Sequence, residues 1–121
     1  MDAKDLTADE RVALMGLLKL TVSADSTMSA EESQALLKIA DAMGRAEFIE
    51  ARKRAEAEIT NFEAIKKAVK AVQRPEAQRL IYNLAVDVAE PDEIVETEAD
   101  VLRWAAEAWG FEVDDETLRP K

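Results

Sequence analysis

Apolar residues recur along this chain at spacings of three and four, the period of an amphipathic α-helix. No segment alternates apolar and polar positions, as a half-buried β-strand does. Polar, glycine or proline positions divide the pattern into six helical segments. They are the stretch from Thr7 to about Ser23 and the segments EESQALLKIADAM, AEFIEARKRAEAEI, NFEAIKKAVKAV, PEAQRLIYNLAVDVA and VETEADVLRWAAEAW. The pattern therefore predicts an all-α fold, a compact multi-helix bundle.

Capping signals mark where several of these helices begin and end. The pattern of a capping box, Ser or Thr followed three residues later by Glu, occurs at Thr7–Glu10, Ser29–Glu32 and Thr60–Glu63. In such a box the two side chains satisfy backbone N–H groups of the first turn. Gly44 and Gly110 stand where two helices are predicted to end, because glycine readily adopts the left-handed conformation of a helix terminus.

An internal repeat relates the two ends of the chain. Gly110 lies 66 residues after Gly44, and the same shift aligns other positions. It pairs Met28 with Ile94, Glu32 with Glu98 and Leu36 with Leu102. Each copy reads helix, acidic loop, helix, and two such units can bury their apolar faces against each other about a pseudo-two-fold axis. We therefore expect two pseudo-symmetric units, although any two amphipathic helix pairs share some apolar positions.

Length and composition limit the class of protein. The 121 residues suffice for one domain, expected over 1–121, with a core at about 8–112 and a short C-terminal tail at 113–121. The chain has no Cys and no His, which excludes disulfides, thiolate or imidazole metal sites and the Ser-His triad. Gly16 falls inside the first predicted helix, where it indicates that another helix crosses closely.

Charge and the amino-terminal residues bear on location and partners. The formal net charge of -10 argues against nucleic acid, whose phosphates require a basic surface. The start, MDAKDLTADE, lacks the apolar core of a signal peptide. No apolar run approaches the ~20 residues of a transmembrane segment. We therefore expect a cytoplasmic protein without a transmembrane segment.

The acidic loops are the candidate metal site. The candidate ligands are Asp25 and Glu32 in the first copy and Asp92 and Glu98 in the second, with Glu96 and Asp87 as a second choice. If the two loops lie at the same end of the bundle, these carboxylates converge and suit a hard divalent cation such as Ca, Mg or Mn. Capping and the helix dipole alone also explain a Glu at the third position of a helix, so both interpretations stay open.

Other kinds of site fit the sequence less well. An EF-hand loop starting at Asp25 would need Gly at its sixth position and Glu at its twelfth, where this chain has Ala30 and Leu36. No Gly-rich phosphate loop, nucleophile motif or cofactor fingerprint accompanies the acidic residues. We therefore expect no enzyme activity, and a small enzyme with a carboxylate-bound metal ranks last among the hypotheses.

Charge is segregated along the chain. Residues 87–100 contain seven acidic residues and no Lys or Arg, whereas residues 52–79 contain eight basic residues and four acidic ones. Such faces can dock on protein partners, on an anionic membrane surface or on another copy of the chain. Both can equally be solvated helix faces. A protein-interaction or oligomerisation module without metal is therefore the alternative to a metal-binding one.

The segments ADSTMSAEESQALLKIADAMG and AVDVAEPDEIVETEADVLRWAAEAWGF, joined by RPEAQRLIYNLA, resemble the tellurite-resistance TerB-like family. That family includes the amino-terminal helical domain of some membrane-anchored DnaJ-like co-chaperones. Its pattern is an apolar helix, A-D-G-x-I, a Glu, and an apolar helix ending in Gly, in two units. The resemblance covers about residues 10–111, but the family's Asp-Gly is Asp25-Ser26 here in one copy and Pro91-Asp92 in the other.

The resemblance implies a helical bundle linked to tellurite and other stress responses. It also implies divalent metal binding at the acidic loops and protein partners in complexes at the inner face of the membrane. The family is not known as an enzyme family.

Overall fold

The computed structural model describes residues 1–23, 30–89 and 96–121. Within these ranges it contains six α-helices, one short 3-10 helix at Ala3–Asp5 and no β-strand. The helices are α1 (Ala8–Ser23), α2 (Ala30–Met43), α3 (Arg45–Glu58), α4 (Phe62–Lys70), α5 (Pro75–Ala89) and α6 (Glu96–Ala108). The predicted all-α bundle is confirmed. None of the described helices is both long enough and apolar enough to cross a membrane.

Helix α1 is the centre of the bundle. It packs against α3, α4, α5 and α6. Its residues Leu14 and Leu17 are completely buried, as is Thr21, whose hydroxyl donates to the carbonyl oxygens of Leu17 and Leu18. A helix that is apolar on all sides is stable only when other elements surround it. Helices α3 to α6 therefore surround α1, while α2 packs against α3, α5 and the 3-10 helix.

Gly16 allows two segments to approach α1 closely. A Cβ atom on Gly16 would lie 2.8 Å from Cδ1 of Ile59 and 3.1 Å from Cγ2 of Ile65. Ile59 caps the end of α3 and Ile65 lies on α4, so both helices contact α1 at the same point. The predicted close approach at Gly16 is confirmed, and it accounts for glycine in the interior of a helix despite a cost of about 1 kcal/mol relative to Ala.

The predicted capping boxes have different outcomes. At α1 the Thr7–Glu10 box is present, with the Thr7 N–H donating to Glu10 at 2.8 Å and the Glu10 N–H to the Thr7 hydroxyl at 3.2 Å. The Thr60–Glu63 box is wrong, because Asn61 is the residue that caps α4. Its side-chain oxygen accepts from the Ala64 N–H at 2.8 Å, and Asn is a preferred N-cap residue. Part of the Ser29–Glu32 box lies outside the described residues.

The predicted C-terminal tail, residues 113–121, forms a turn and is docked on α5. Leu118 is 3% exposed and serves as the apolar anchor. The hydroxyl of Tyr82 donates to the Leu118 carbonyl oxygen at 2.6 Å, and Arg119 pairs with Asp87 at 2.6 Å. Burial raises the pKa of Tyr82 to about 12, which keeps this donor protonated at any physiological pH.

The 66-residue repeat is visible in the second helix of each copy. Helix α6 begins 66 residues after α2, and Ala40 and Met43 are buried at the positions equivalent to Ala106 and Trp109. Both closing glycines have positive φ angles, 105° at Gly44 and 73° at Gly110. The first helices of the two copies differ more, because Leu14 of α1 is completely buried whereas the equivalent Leu80 of α5 is only partly buried.

Candidate functional site

The starts of α2 and α6 each carry a buried glutamate. Glu32 and Glu98 are the third residues of their helices, and they are only 2% and 3% exposed. Glutamate is almost never this buried unless another group compensates its charge. Both side chains interact with other groups of the protein. The two copies therefore place a buried carboxylate at the same position, next to the two acidic loops.

An ion pair and a groove show how the ends of α1, α2 and α5 are arranged. Arg74, the residue before α5, binds Glu10 in the first turn of α1, so α1 and α5 begin side by side. A groove of about 500 Å³ between α2 and α5 is lined by Glu31 from the first turn of α2 and by Asp87 from the last turn of α5. The start of α2 and the end of α5 therefore lie beside the same groove.

The six predicted ligands are distributed unevenly over this region. Asp25 and Asp92 lie outside the described residues. Asp87 is half-exposed and paired with Arg119, and the exposed Glu96 lies 3.9 Å from Arg103. No group of three or more acidic side chains that could hold a metal ion occurs within residues 1–23, 30–89 and 96–121. The described part of the site is thus two buried glutamates, and the metal site remains a prediction.

An ion pair that the sequence reasoning missed joins the start of α1 to the start of α5. The Arg74 guanidinium donates to both carboxylate oxygens of Glu10, at 2.8 and 2.5 Å, and to the Asp5 carbonyl at 3.2 Å. Glu10 is 6% exposed. The hydrogen bond from Arg74, more than any other contact, holds the pKa of Glu10 below its usual value. The capping box explains Glu10 but gives no sign of a partner 64 residues away.

This ion pair predicts how stability depends on pH. A carboxyl whose pKa is lowered by folding stabilises the folded state above its unfolded pKa, and that contribution is lost as pH falls through the folded pKa. Glu10→Gln is therefore expected to destabilise the protein at pH 7 by about 1–2 kcal/mol, with a difference that shrinks below about pH 4. Urea titrations from pH 7 to acid measure it. Glu76→Gln is the control, and equal effects of the two variants at pH 7 would refute the assignment.

A second, more apolar groove lies between α1, α2 and α3. It has a volume of about 660 Å³, and its walls include Met15, Leu18, Leu36, Leu37 and Phe48. Leu37 is 55% exposed although most leucines of the chain are buried or half-buried. The sequence pattern did not predict the groove, because Leu36 and Leu37 both fit one apolar stripe of α2. The signal that could have shown it is a pair of adjacent leucines, which point in different directions, on a helix that packs on one side only.

Comparison with known proteins adds no relative on which to base a function. The chain matches no protein-family model, no curated protein and no solved structure.

Proposed function

We propose that this chain is a non-catalytic TerB-like helical module of a tellurite-resistance-type stress response, which acts in the cytoplasm and binds a divalent cation through its acidic loops. The observation that best supports the cation is the pair of buried glutamates, Glu32 and Glu98, at equivalent positions of the two copies. The resemblance of the two helix–loop–helix segments to the TerB-like pattern supports the kind of module.

The chemistry of the proposed site follows from the residues. Calcium, magnesium and manganese prefer carboxylate oxygens, and a chain without Cys or His offers only oxygen ligands. Glu32 and Glu98 would supply one carboxylate each from the rigid first turns of α2 and α6, and Asp25 and Asp92 would supply the loop ligands. A cation held between two helix pairs favours the arrangement of those pairs that brings its ligands together. Its role would thus be to select a binding-competent geometry for a protein partner.

Thermal unfolding tests this proposal. Millimolar calcium, magnesium or manganese should raise Tm relative to EDTA, since an ion at about 100 times its Kd adds about 2.7 kcal/mol. Glu32→Gln and Glu98→Gln should abolish the shift. Glu31→Gln is the matched control, because Glu31 is an exposed neighbour in the same helical turn as Glu32. An unchanged Tm for the natural chain in every millimolar ion would rule the cation out.

The apolar groove supports a second candidate function, a protein-interaction module that needs no metal. The groove volume of about 660 Å³ lies within the range of sites that bury a ligand. An exposed leucine beside half-buried Leu36 and Phe48 is typical of a surface that a partner covers.

A pair of lysine substitutions measures whether this groove binds apolar groups. Leu37→Lys should change the free energy of unfolding by less than about 0.5 kcal/mol, because the side chain is mostly exposed. It should nevertheless lower the fluorescence of the apolar dye ANS when the dye is added to the folded protein. Ile49→Lys is the matched control, since Ile49 is 52% exposed and is not part of the groove wall. Equal dye fluorescence in both variants would contradict a binding groove at Leu37.

A further inference from the structure

Helix α4 presents a basic and aromatic face to solvent. Its apolar residues Ile65 and Val69 are buried, while Phe62 is 46% exposed. The ammonium nitrogen of Lys66 lies 4.5 Å from the centre of the Phe62 ring and 5.7 Å from the centre of the Trp104 ring on α6. Attraction between the lysine and the two rings holds these three side chains together as one surface unit.

The positive charge that a partner can reach is concentrated on the same helix. Most arginines of residues 52–79 are engaged inside the chain, as in the pairs of Arg54 with Asp9 and of Arg74 with Glu10. Lys67 and Lys70 are exposed, and in the described part of the chain they take part in no ion pair. The lysines of α4 are thus one group of accessible positive charge within this segment, and exposed Lys53 on α3 is another.

Helix α6 connects this basic face to the acidic residues at its own start. Glu96, Asp100 and Trp104 are spaced four residues apart, so they lie on one side of α6. The carboxylates of Glu96 and Asp100 are 85% and 65% exposed, and Arg103 beside them offsets part of their charge at 3.9 and 3.5 Å. Eight residues of helix place Glu96 about 12 Å from Trp104. One continuous surface therefore runs from acidic residues to aromatic and basic ones, and we name it the α4–α6 stripe. It consists of Glu96, Asp100 and Trp104 of α6 and of Phe62, Lys66, Lys67 and Lys70 of α4.

We propose that the α4–α6 stripe is the surface through which two copies of this chain form a dimer. In this dimer the stripes of the two copies lie antiparallel about a two-fold axis that crosses α6. The lysines of α4 in one copy then face the acidic start of α6 in the other, and the same contact occurs a second time by symmetry. Phe62 and Trp104 supply the apolar part of the contact between the two rows of charge.

Charge complementarity favours a second copy over an anionic membrane. Segments that bind acidic lipids by charge typically hold about 4–8 Lys or Arg residues, whereas α4 contributes three lysines. A membrane would also repel the acidic end of the same stripe. A second copy satisfies both ends at once, and two-fold dimers are the commonest closed assemblies. The inference does not depend on the proposed cation.

Sedimentation of charge-reversed variants in EDTA tests the dimer. The natural chain should dimerise at about 0.01 M salt and dissociate at about 1 M, where the Debye length falls from ~30 Å to ~3 Å. Lys67→Glu with Lys70→Glu should raise the dimer Kd by at least about tenfold, because acidic residues then face acidic residues. Lys38→Glu with Lys53→Glu is the matched control, since both lysines are exposed and lie outside the stripe. It should leave the dimer intact.

Mixing two monomeric variants provides the decisive comparison. Glu96→Lys with Asp100→Lys should also prevent self-association, and circular dichroism confirms that each variant folds. A one-to-one mixture of this variant with the α4 variant should form a heterodimer, because one charge contact then has its natural residues and the other is restored with both charges reversed. A natural chain that stays monomeric at low salt, or a mixture that stays monomeric, overturns the proposal. Lysine-dependent binding of a monomer to phosphatidylserine vesicles overturns it too, in favour of a membrane surface.

Discussion

Replacing Trp109 with Ala is expected to destabilise the protein by about 3–5 kcal/mol, the cost of removing a buried tryptophan from a packed core. The Trp109 side chain is 9% exposed, and its indole N–H donates to the Val69 carbonyl oxygen at 3.0 Å. Its ring also lies 6.1 Å from the ring of Phe111, centre to centre. The substitution therefore removes the contact that holds the end of α6 against α4, although the Val69 carbonyl oxygen still accepts from the Val72 N–H at 3.2 Å.

Urea denaturation followed by circular dichroism measures this loss, and Trp104→Ala is the matched control. Trp104 lies on α6, whereas Trp109 follows its last residue, and Trp104 is only partly buried, so its removal should cost about half as much or less. The comparison is made at high salt, where the proposed dimer is dissociated. Equal destabilisation by the two substitutions would show that Trp109 does not have the structural role assigned to it.

Replacing Gly16 with Val should destabilise the protein by about 3 kcal/mol, because a branched side chain overfills the contact of α1 with α3 and α4. Even a single Cβ atom would lie 2.8 Å from Cδ1 of Ile59, and valine adds two methyl groups beyond it. No rotamer of the new side chain removes that overlap without displacing Ile59 or Ile65. Thermal and urea unfolding at pH 7 measure the loss.

A smaller substitution separates crowding from a general intolerance of change at this position. Gly16→Ala gains about 1 kcal/mol of helix propensity but crowds Ile59. Ile59→Val removes the Cδ1 atom responsible, so the combination of Gly16→Ala and Ile59→Val should be more stable than the sum of the single effects indicates. Additive effects would contradict the close approach at Gly16.

The sequence predicted the helices well because their signals are local. Every predicted helix is present, and the observed bounds differ from the predicted ones by at most two residues. The Thr7–Glu10 box and the closing glycines each depend on residues a few positions apart, which a sequence shows directly. At α4, two adjacent residues could both serve as the cap, and the stronger capping residue, Asn61, is the one that does so.

Tertiary pairing was the part that sequence patterns could not supply. Arg74 and Glu10 are 64 residues apart, and Arg119 and Asp87 are 32 residues apart. Nothing in the local sequence of either partner identifies the other. The docked tail was missed for the same reason, since the contact of Leu118 with Tyr82 exists only once α5 and the tail are folded together.

The candidate site was predicted in part. The repeat pointed to Glu32 and Glu98 as equivalent residues, and the structure buries both of them. It also shows that Asp87 and Glu96, the second-choice ligands, are engaged by Arg119 and Arg103. The Asp87 pair could not be read from the sequence, because its arginine comes from the C-terminal tail, whereas Arg103 lies two turns after Glu96 on the same helix.

Electron paramagnetic resonance of Mn²⁺ gives the most direct test of the central claim, that Glu32 and Glu98 form part of a divalent cation site. Free manganese gives a strong signal that weakens when the ion binds protein, so titration counts bound ions. The account predicts saturable binding by the natural chain and by Glu31→Gln, competition by calcium, and loss of that binding in both Glu32→Gln and Glu98→Gln. Manganese binding that is absent from the natural chain, or unchanged in these two variants, would contradict it.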